Sequence, residues 1–266
     1  MKSERPGAKT TWAKGFEGAA SIMRFLVFQH IACEHPGILR DFLAADGIAW
    51  DAVELDEGAP IPSLDRYDAL WVMGGPMDVW EEDQHPWLIA EKRVIRAAVL
   101  ERQMPYLGLC LGHQLLASAL GGTVGKMAQP EVGILNIDLN AAGANDPLFA
   151  GLPRRLTALQ WHGAEVKTLP AGGVVLAESP LCPIQALRVG THAYGLQCHI
   201  ELLSNTVGDW SQVPAYACAL DAALGTGAMQ RLDRQATALM GDFNRDARRL
   251  YDNFMQVAFG RTPMPA

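Results

Sequence analysis

Tyr106-Leu107-Gly108-Leu109-Cys110-Leu111-Gly112-His113-Gln114-Leu115 reads as an apolar strand that runs through Gly-x-Cys-x-Gly into an apolar helix. That is the layout of a nucleophile elbow, a sharp strand-to-helix turn that lifts one side chain above a sheet. The flanking glycines admit the tight backbone and the close packing beneath it. The side chain lifted here is a thiol. A glycine-rich strand end holding a buried structural cysteine would be spelled the same way, since free cysteine is among the most buried residue types.

Working outward, the chain alternates strand-like and helix-like patterns on the N-terminal side of the elbow. Residues 23–29, 48–55, 67–73 and 105–109 read as short apolar strands. Ile38, Leu39, Phe42 and Leu43 recur at helical spacing within residues 36–45, and residues 86–102 carry a longer amphipathic pattern. Strands alternating with helices predict parallel βαβ units with right-handed crossovers. Ligands in such sheets bind beyond the carboxyl ends of the strands, where both Gly74-Gly75 and Cys110 fall.

Between residues 123 and 197 the pattern changes to strand-like pieces at 132–139, 156–160, 173–177, 184–189 and 192–198. Turns at Ala142-Gly143, Leu169-Pro170 and Val189-Gly190 separate them, which predicts a partly antiparallel extension of the same sheet. Beyond Leu202 the chain turns helical, with residues 229–240 and 242–258 rich in Ala, Leu, Met and Arg. The expected fold is α/β in three layers, a mostly parallel central sheet flanked by helices with that extension. Residues 1–22 read as an N-terminal arm, 23–205 as the α/β domain and 206–266 as a helical extension packed on it.

Composition narrows the function. The 266 residues are 49% hydrophobic and 19% charged, a globular balance. Lys and Arg total 22 against 29 Asp and Glu, a net charge of -7 without basic runs, which disfavours nucleic acid and anionic membrane surfaces. No stretch reaches the roughly 18 to 20 apolar residues that span a bilayer. The first residues carry Lys2, Arg5, Lys9 and Lys14 without an apolar run behind them, unlike a secretory signal. Five cysteines without a Cys-x-x-Cys pair suit a reducing compartment, and a cytoplasmic location is expected.

A second segment, Gly195-Leu196-Gln197-Cys198-His199-Ile200-Glu201, supplies what a cysteine nucleophile needs. On a strand, His199 and Glu201 project to the same side. The carboxylate then orients the imidazole, and the imidazole takes the thiol proton. Cys110, His199 and Glu201 make a candidate triad. The plainer alternative is a strand-end histidine paired locally with Glu201. His30, Cys33, Glu34 and His35 fit no zinc spacing and read as a loop after the first strand, so no metal and no cofactor is expected. Trp71, Trp80, Trp87 and Trp161 read as core or site-wall residues.

Three blocks in order, Met73-Gly74-Gly75-Pro76-Met77, GLCLGHQLLA at 108–117, and Tyr194 through Glu201, resemble the signature blocks of class I, triad-type glutamine amidotransferases. Glu131-Val132-Gly133, Gln160-Trp161-His162-Gly163 and Leu169-Pro170 resemble the free-standing members related to GMP synthetase. The resemblance covers residues 23–205 and implies a flavodoxin-like sheet. It implies that Cys110 attacks the glutamine carboxamide to give a γ-glutamyl thioester, with His199 as base and acid and Glu201 orienting it. It further implies an oxyanion hole from the backbone N–H groups of Gly75 and Leu111, and substrate contacts from Gln114 and the backbone near Gly163.

Two positions depart from the family pattern, which has phenylalanine before the histidine and proline after it. Cys198 and Ile200 stand there instead, and the isoleucine changes how Glu201 is presented. Family members pass ammonia to a second site, yet the chain shows no Ser-Gly-Gly-x-Asp-Ser loop and no nucleotide-binding lysine motif. Three readings stay open. One is a glutaminase unit serving a separate acceptor enzyme or synthetase. The second is a hydrolase of other γ-glutamyl amides using the same triad. The third is a non-catalytic binding protein.

Overall fold

The computed structural model describes residues 22–261. The N-terminal arm expected over residues 1–22 therefore lies, but for Ile22, outside the described residues.

Among the described residues, nine strands form one mixed sheet. In chain order they are β1 (Arg24–Gln29), β2 (Ala49–Glu54), β3 (Ala69–Val72), β4 (Tyr106–Leu109), β5 (Thr123–Leu139), β6 (Arg155–Thr168), β7 (Gly173–Glu178), β8 (Ala186–Val189) and β9 (Ala193–Leu196). Their spatial order is β2-β1-β3-β4-β9-β8-β7-β5-β6. Neighbours from β2 to β9 pair in parallel, and those from β9 to β6 pair antiparallel. The expected parallel core and antiparallel extension are both present, the extension supplying four of the nine strands.

Alternation along the strands makes the layers. Phe25, Val27 and Trp71 face one side of the sheet, under α1 (Leu39–Ala45) and α6 (Ala228–Phe259), where they meet Leu250, Tyr251 and Phe254. Leu26, Phe28, Leu70 and Val72 face the other side, packing with Leu88 and Ile95 of α2 (Trp87–Arg96) and Leu115 and Leu116 of α3 (Leu111–Ala119). A third cluster joins Trp161 and Leu159 of β6 to Trp210 of α4 (Thr206–Trp210), Leu220 of α5 (Pro214–Leu224) and Phe243 of α6. That cluster places the C-terminal helices against the strands that border the candidate site.

The helical stretches read at 229–240 and 242–258 join in one 32-residue helix, α6. Gly241 lies inside it at a cost of about 1 kcal/mol relative to alanine. The stripe Leu232, Ala236, Phe243, Ala247, Leu250 and Phe254 is buried on both sides of that glycine and carries the helix through. The strand expected at 132–139 is longer and begins at Thr123, with a register shift between Lys126 and Glu131, the stretch that contains Pro130.

Candidate functional site

Cys110 sits between β4 and α3 with φ 50° and ψ -104°, one of two non-glycine residues with positive φ among those described. A residue held there costs on the order of 1–3 kcal/mol, and such strain gathers at functional sites. Its neighbours explain why the turn closes. A Cβ on Gly108 would overlap the Gly112 carbonyl, and one on Gly112 would overlap the Val72 carbonyl. The Gly112 N–H donates to Met73 O at 3.2 Å, which ties the start of α3 to the glycine turn after β3. The elbow read from the sequence is thus present with its glycines in close backbone contact.

His199 is fully buried. It does not lie on β9, which ends at Leu196; it follows the strand and bridges to Leu159 of β6. The expected projection of His199 and Glu201 from one strand face is therefore replaced by a bend at Gln197 and Cys198 and irregular backbone after the bridge, and the pair meets nonetheless. Nδ1 of His199 is 2.7 Å from Oε1 of Glu201, while Oε2 accepts the Ile200 N–H at 2.8 Å. Burial lowers the proton affinity of the imidazole, but the charge of Glu201, then that of the Cys110 sulfur, raises it, and the balance lies well above the ordinary histidine value. Nε2, the nitrogen left over by Glu201, has no hydrogen-bond partner among the described residues.

The residues expected to bind substrate line one cleft of about 160 Å³. Gly75, Cys110, Leu111, Gln114 and Gly163 all border it, and Trp161, His162 and Tyr216 complete its walls. Leu111, the first residue of α3, has one of the N–H groups that a helix leaves unpaired at its start. The Gln114 amide donates to Ala164 O at 3.2 Å and to Gln197 Oε1 at 3.1 Å, and Gln197 Nε2 is 3.6 Å from the Cys110 sulfur. His199 and Glu201 are not among the residues that line the cleft.

Four side chains at the site escaped the sequence reading. Gln197 touches the sulfur. Trp210 sets its ring edge-on to His199, centroids 4.5 Å apart, and its Nε1 donates to Cys33 O at 3.2 Å. Glu34 is buried in the loop after β1, its Oε1 accepting the Tyr216 hydroxyl at 2.5 Å. Burial raises the Glu34 pKa, against the lowering effects of His199 and the Tyr216 hydroxyl. A carboxylate just past the carboxyl end of a parallel strand was the available signal for Glu34. Nothing local marked Tyr216, which stands 182 residues further on.

The stretch His30, Cys33, Glu34 and His35 does not converge: His30 faces Gly74 and Glu91, Glu34 faces Tyr216, and His35 Nδ1 accepts the Gly37 N–H. Two buried trios do bring ligand-type atoms within 4.8 Å, Glu34 with His199 and Glu201, and Glu131 with His162 and Cys182. In both, hydrogen bonds already engage the carboxylates: Glu34 with Tyr216, Glu201 with His199 and Ile200, Glu131 with Ser179 and Gln185.

The family model for class I glutamine amidotransferases matches residues 39–209. The chain belongs to the class I glutamine amidotransferase family. Among relatives, it is 38% identical over 163 residues to the glutamine amidotransferase-like protein YfeJ of Salmonella typhimurium, covering 60% of this chain and 67% of that one. It is 40% identical over 110 residues to the glutamine-hydrolysing GMP synthase subunit of Pyrococcus abyssi, covering 41% of this chain and 57% of that protein. A solved glutamine amidotransferase from Thermotoga maritima superposes with a TM-score of 0.78 at 27% identity, covering 89% of this chain and 98% of that one. The glutamine amidotransferase of Methylobacillus flagellatus gives 0.77 at 29% identity, with 89% and 95% covered. These amidotransferase structures share the helix-flanked mixed sheet. Helix α5, whose Ala215, Tyr216 and Ala219 form one wall of the cleft, begins beyond the matched residues.

Proposed function

We propose that this amidotransferase hydrolyses the side-chain amide of glutamine through a thioester at Cys110. The observation that carries the reading is the strained Cys110, backed by the His199–Glu201 pair and facing a cleft bordered by Gly75, Leu111, Gln114 and Gly163.

The thiol proton passes to Nε2 of His199, and the sulfur adds to the carboxamide carbon. Negative charge collects on the amide oxygen, where the N–H groups of Gly75 and Leu111 serve as donors. One such donor is worth about 3 kcal/mol of barrier. His199 returns the proton to the nitrogen as the C–N bond breaks and ammonia leaves. Water then attacks the γ-glutamyl thioester, His199 taking its proton and giving it back to the sulfur as glutamate departs. Glu201 supports the imidazolium at both stages. Gln114 and the backbone at Gly163 hold the substrate. Relatives named as glutamine-hydrolysing subunits of GMP synthase support a synthetase partner that takes up the ammonia.

One observation favours a second reading, hydrolysis of other γ-glutamyl amides. The wall formed by Ala215, Tyr216 and Ala219 comes from this chain's own C-terminal helices. Glutamate release from glutamine, measured beside release from N-substituted γ-glutamyl amides, separates the two. Both require that Cys110→Ala abolish turnover, and a fully active variant would overturn them together.

A further inference from the structure

His30 and Glu91 are fully buried beneath the glycine turn and take no part in the chemistry above. Nδ1 of His30 lies 2.8 Å from Gly74 O, and Nε2 lies 2.9 Å from Glu91 Oε1. A carbonyl oxygen only accepts, so Nδ1 carries a proton. The Gly74 carbonyl and the Gly75 N–H belong to one planar peptide unit and point in opposite directions. Holding the carbonyl against His30 therefore aims the Gly75 N–H away from His30. Gly75 borders the cleft with Cys110 and Leu111.

We infer that the His30–Glu91 pair is a positioning latch, which fixes the Gly74–Gly75 peptide so that the Gly75 N–H is held toward the oxygen of the reacting amide. The inference rests on the oxyanion role proposed for that N–H.

The surroundings show a latch that is itself immobilised. The Trp87 indole stacks on the His30 ring at 5.5 Å and 22°, fixing the plane of the imidazole. A Cβ on Gly74 would overlap the Glu34 carboxylate, and one on Gly75 would come within 2.8 Å of the His30 Cβ. The turn is thus clamped from both sides, and its glycines leave room for the clamp. Glu91 Oε2 has no partner among the described residues, so His30 is the group that compensates this buried carboxylate. The charge and hydrogen bond of Glu91 hold the His30 proton against the opposing effect of burial.

Removing one member would strand a buried charge or polar group, so the test replaces both. His30→Leu with Glu91→Leu substitutes an apolar pair, an exchange that often leaves stability unchanged. His30→Asn with Glu91→Leu restores a donor near the position of Nδ1. In the first double variant kcat for glutamine should fall at least about 10-fold with KM changed less than about 2-fold, since a transition-state donor is misplaced. The second should recover most of that loss. Alkylation of Cys110 by iodoacetamide, which needs no oxyanion donor, should proceed at the wild-type rate in both.

Hydrogen exchange over residues 73–77 provides a readout independent of turnover, and it should quicken in the first variant and not in the second. Unchanged exchange in the leucine pair overturns the latch, as does an unchanged kcat. A wild-type protein that hydrolyses no glutamine would instead defeat the proposed function, and the exchange comparison would still decide whether the pair fixes the turn.

Discussion

The backbone N–H of Ile200 donates to Oε2 of Glu201 at 2.8 Å, and this leaves Oε1 to face His199 Nδ1 at 2.7 Å. The family pattern that the chain resembles has proline at that position, and proline has no N–H to give. The departure therefore adds a support for the carboxylate.

Ile200→Pro should lower kcat/KM about 10-fold, because a hydrogen bond to a charged group contributes about 1.5–3 kcal/mol. Ile200→Val, which keeps the N–H, should stay within about 2-fold of wild type. Steady-state glutamine hydrolysis checks both, and equal rates for the two variants would show that the bond does not orient Glu201.

The two influences that raise the His199 proton affinity can be separated. The charge of Glu201 is the largest single one, and the charge of the Cys110 sulfur comes next. Glu201→Gln and Cys110→Ala should each lower the titration midpoint of the His199 ring. A raised folded value stabilises the protein fully below the unfolded histidine pKa, and that contribution is lost as pH rises through the folded value. Stability measured across alkaline pH should thus fall less steeply in Glu201→Gln. An unchanged midpoint in either variant, followed by ring NMR, would contradict the assigned cause.

His113 behaves oppositely. Buried on α3, it is held neutral by burial, with its pKa lowered to about 4. A lowered value gives stability that is present above the ordinary pKa and lost as pH falls from about 6.5 toward about 4. At about 1.36 kcal/mol per unit the loss reaches roughly 3.4 kcal/mol. Denaturant unfolding of His113→Asn should show a shallower decline across that window, and an identical slope would refute the assignment.

The elbow glycines admit no side chain. Gly112→Ala drives a Cβ into the Val72 carbonyl, and Gly108→Ala drives one into the Gly112 carbonyl. Each should destabilise the fold by at least about 2–3 kcal/mol, with the larger loss at Gly112. Thermal unfolding measures it, and a wild-type midpoint for either variant would mean that the turn is looser than described.

Much of this site is legible in the sequence because its parts are local. Strand, glycine, cysteine, glycine and helix follow one another, so the elbow can be read from ten residues. His199 and Glu201 are two apart, so their meeting follows from the sequence although the strand expected to present them ends at Leu196. Glu34 with Tyr216, and Cys33 with Trp210, join residues 182 and 177 apart. Contacts at such separation depend on where α4 and α5 dock, which hydrophobic spacing does not specify. The continuity of α6 through Gly241 is likewise set by what lies beneath it, the surfaces of β1 and β3 as well as that of β6.

The central claim is that a γ-glutamyl group becomes attached to Cys110. Rapid acid quench of the protein with glutamine, followed by mass spectrometry of the peptide spanning residues 103–126, measures it directly. The account predicts one glutamyl unit on Cys110, absent in Cys110→Ala and accumulating in proportion to the rate of amide cleavage. Glutamine hydrolysis that proceeds with an intact, unmodified Cys110, or with the group on another cysteine, would contradict it.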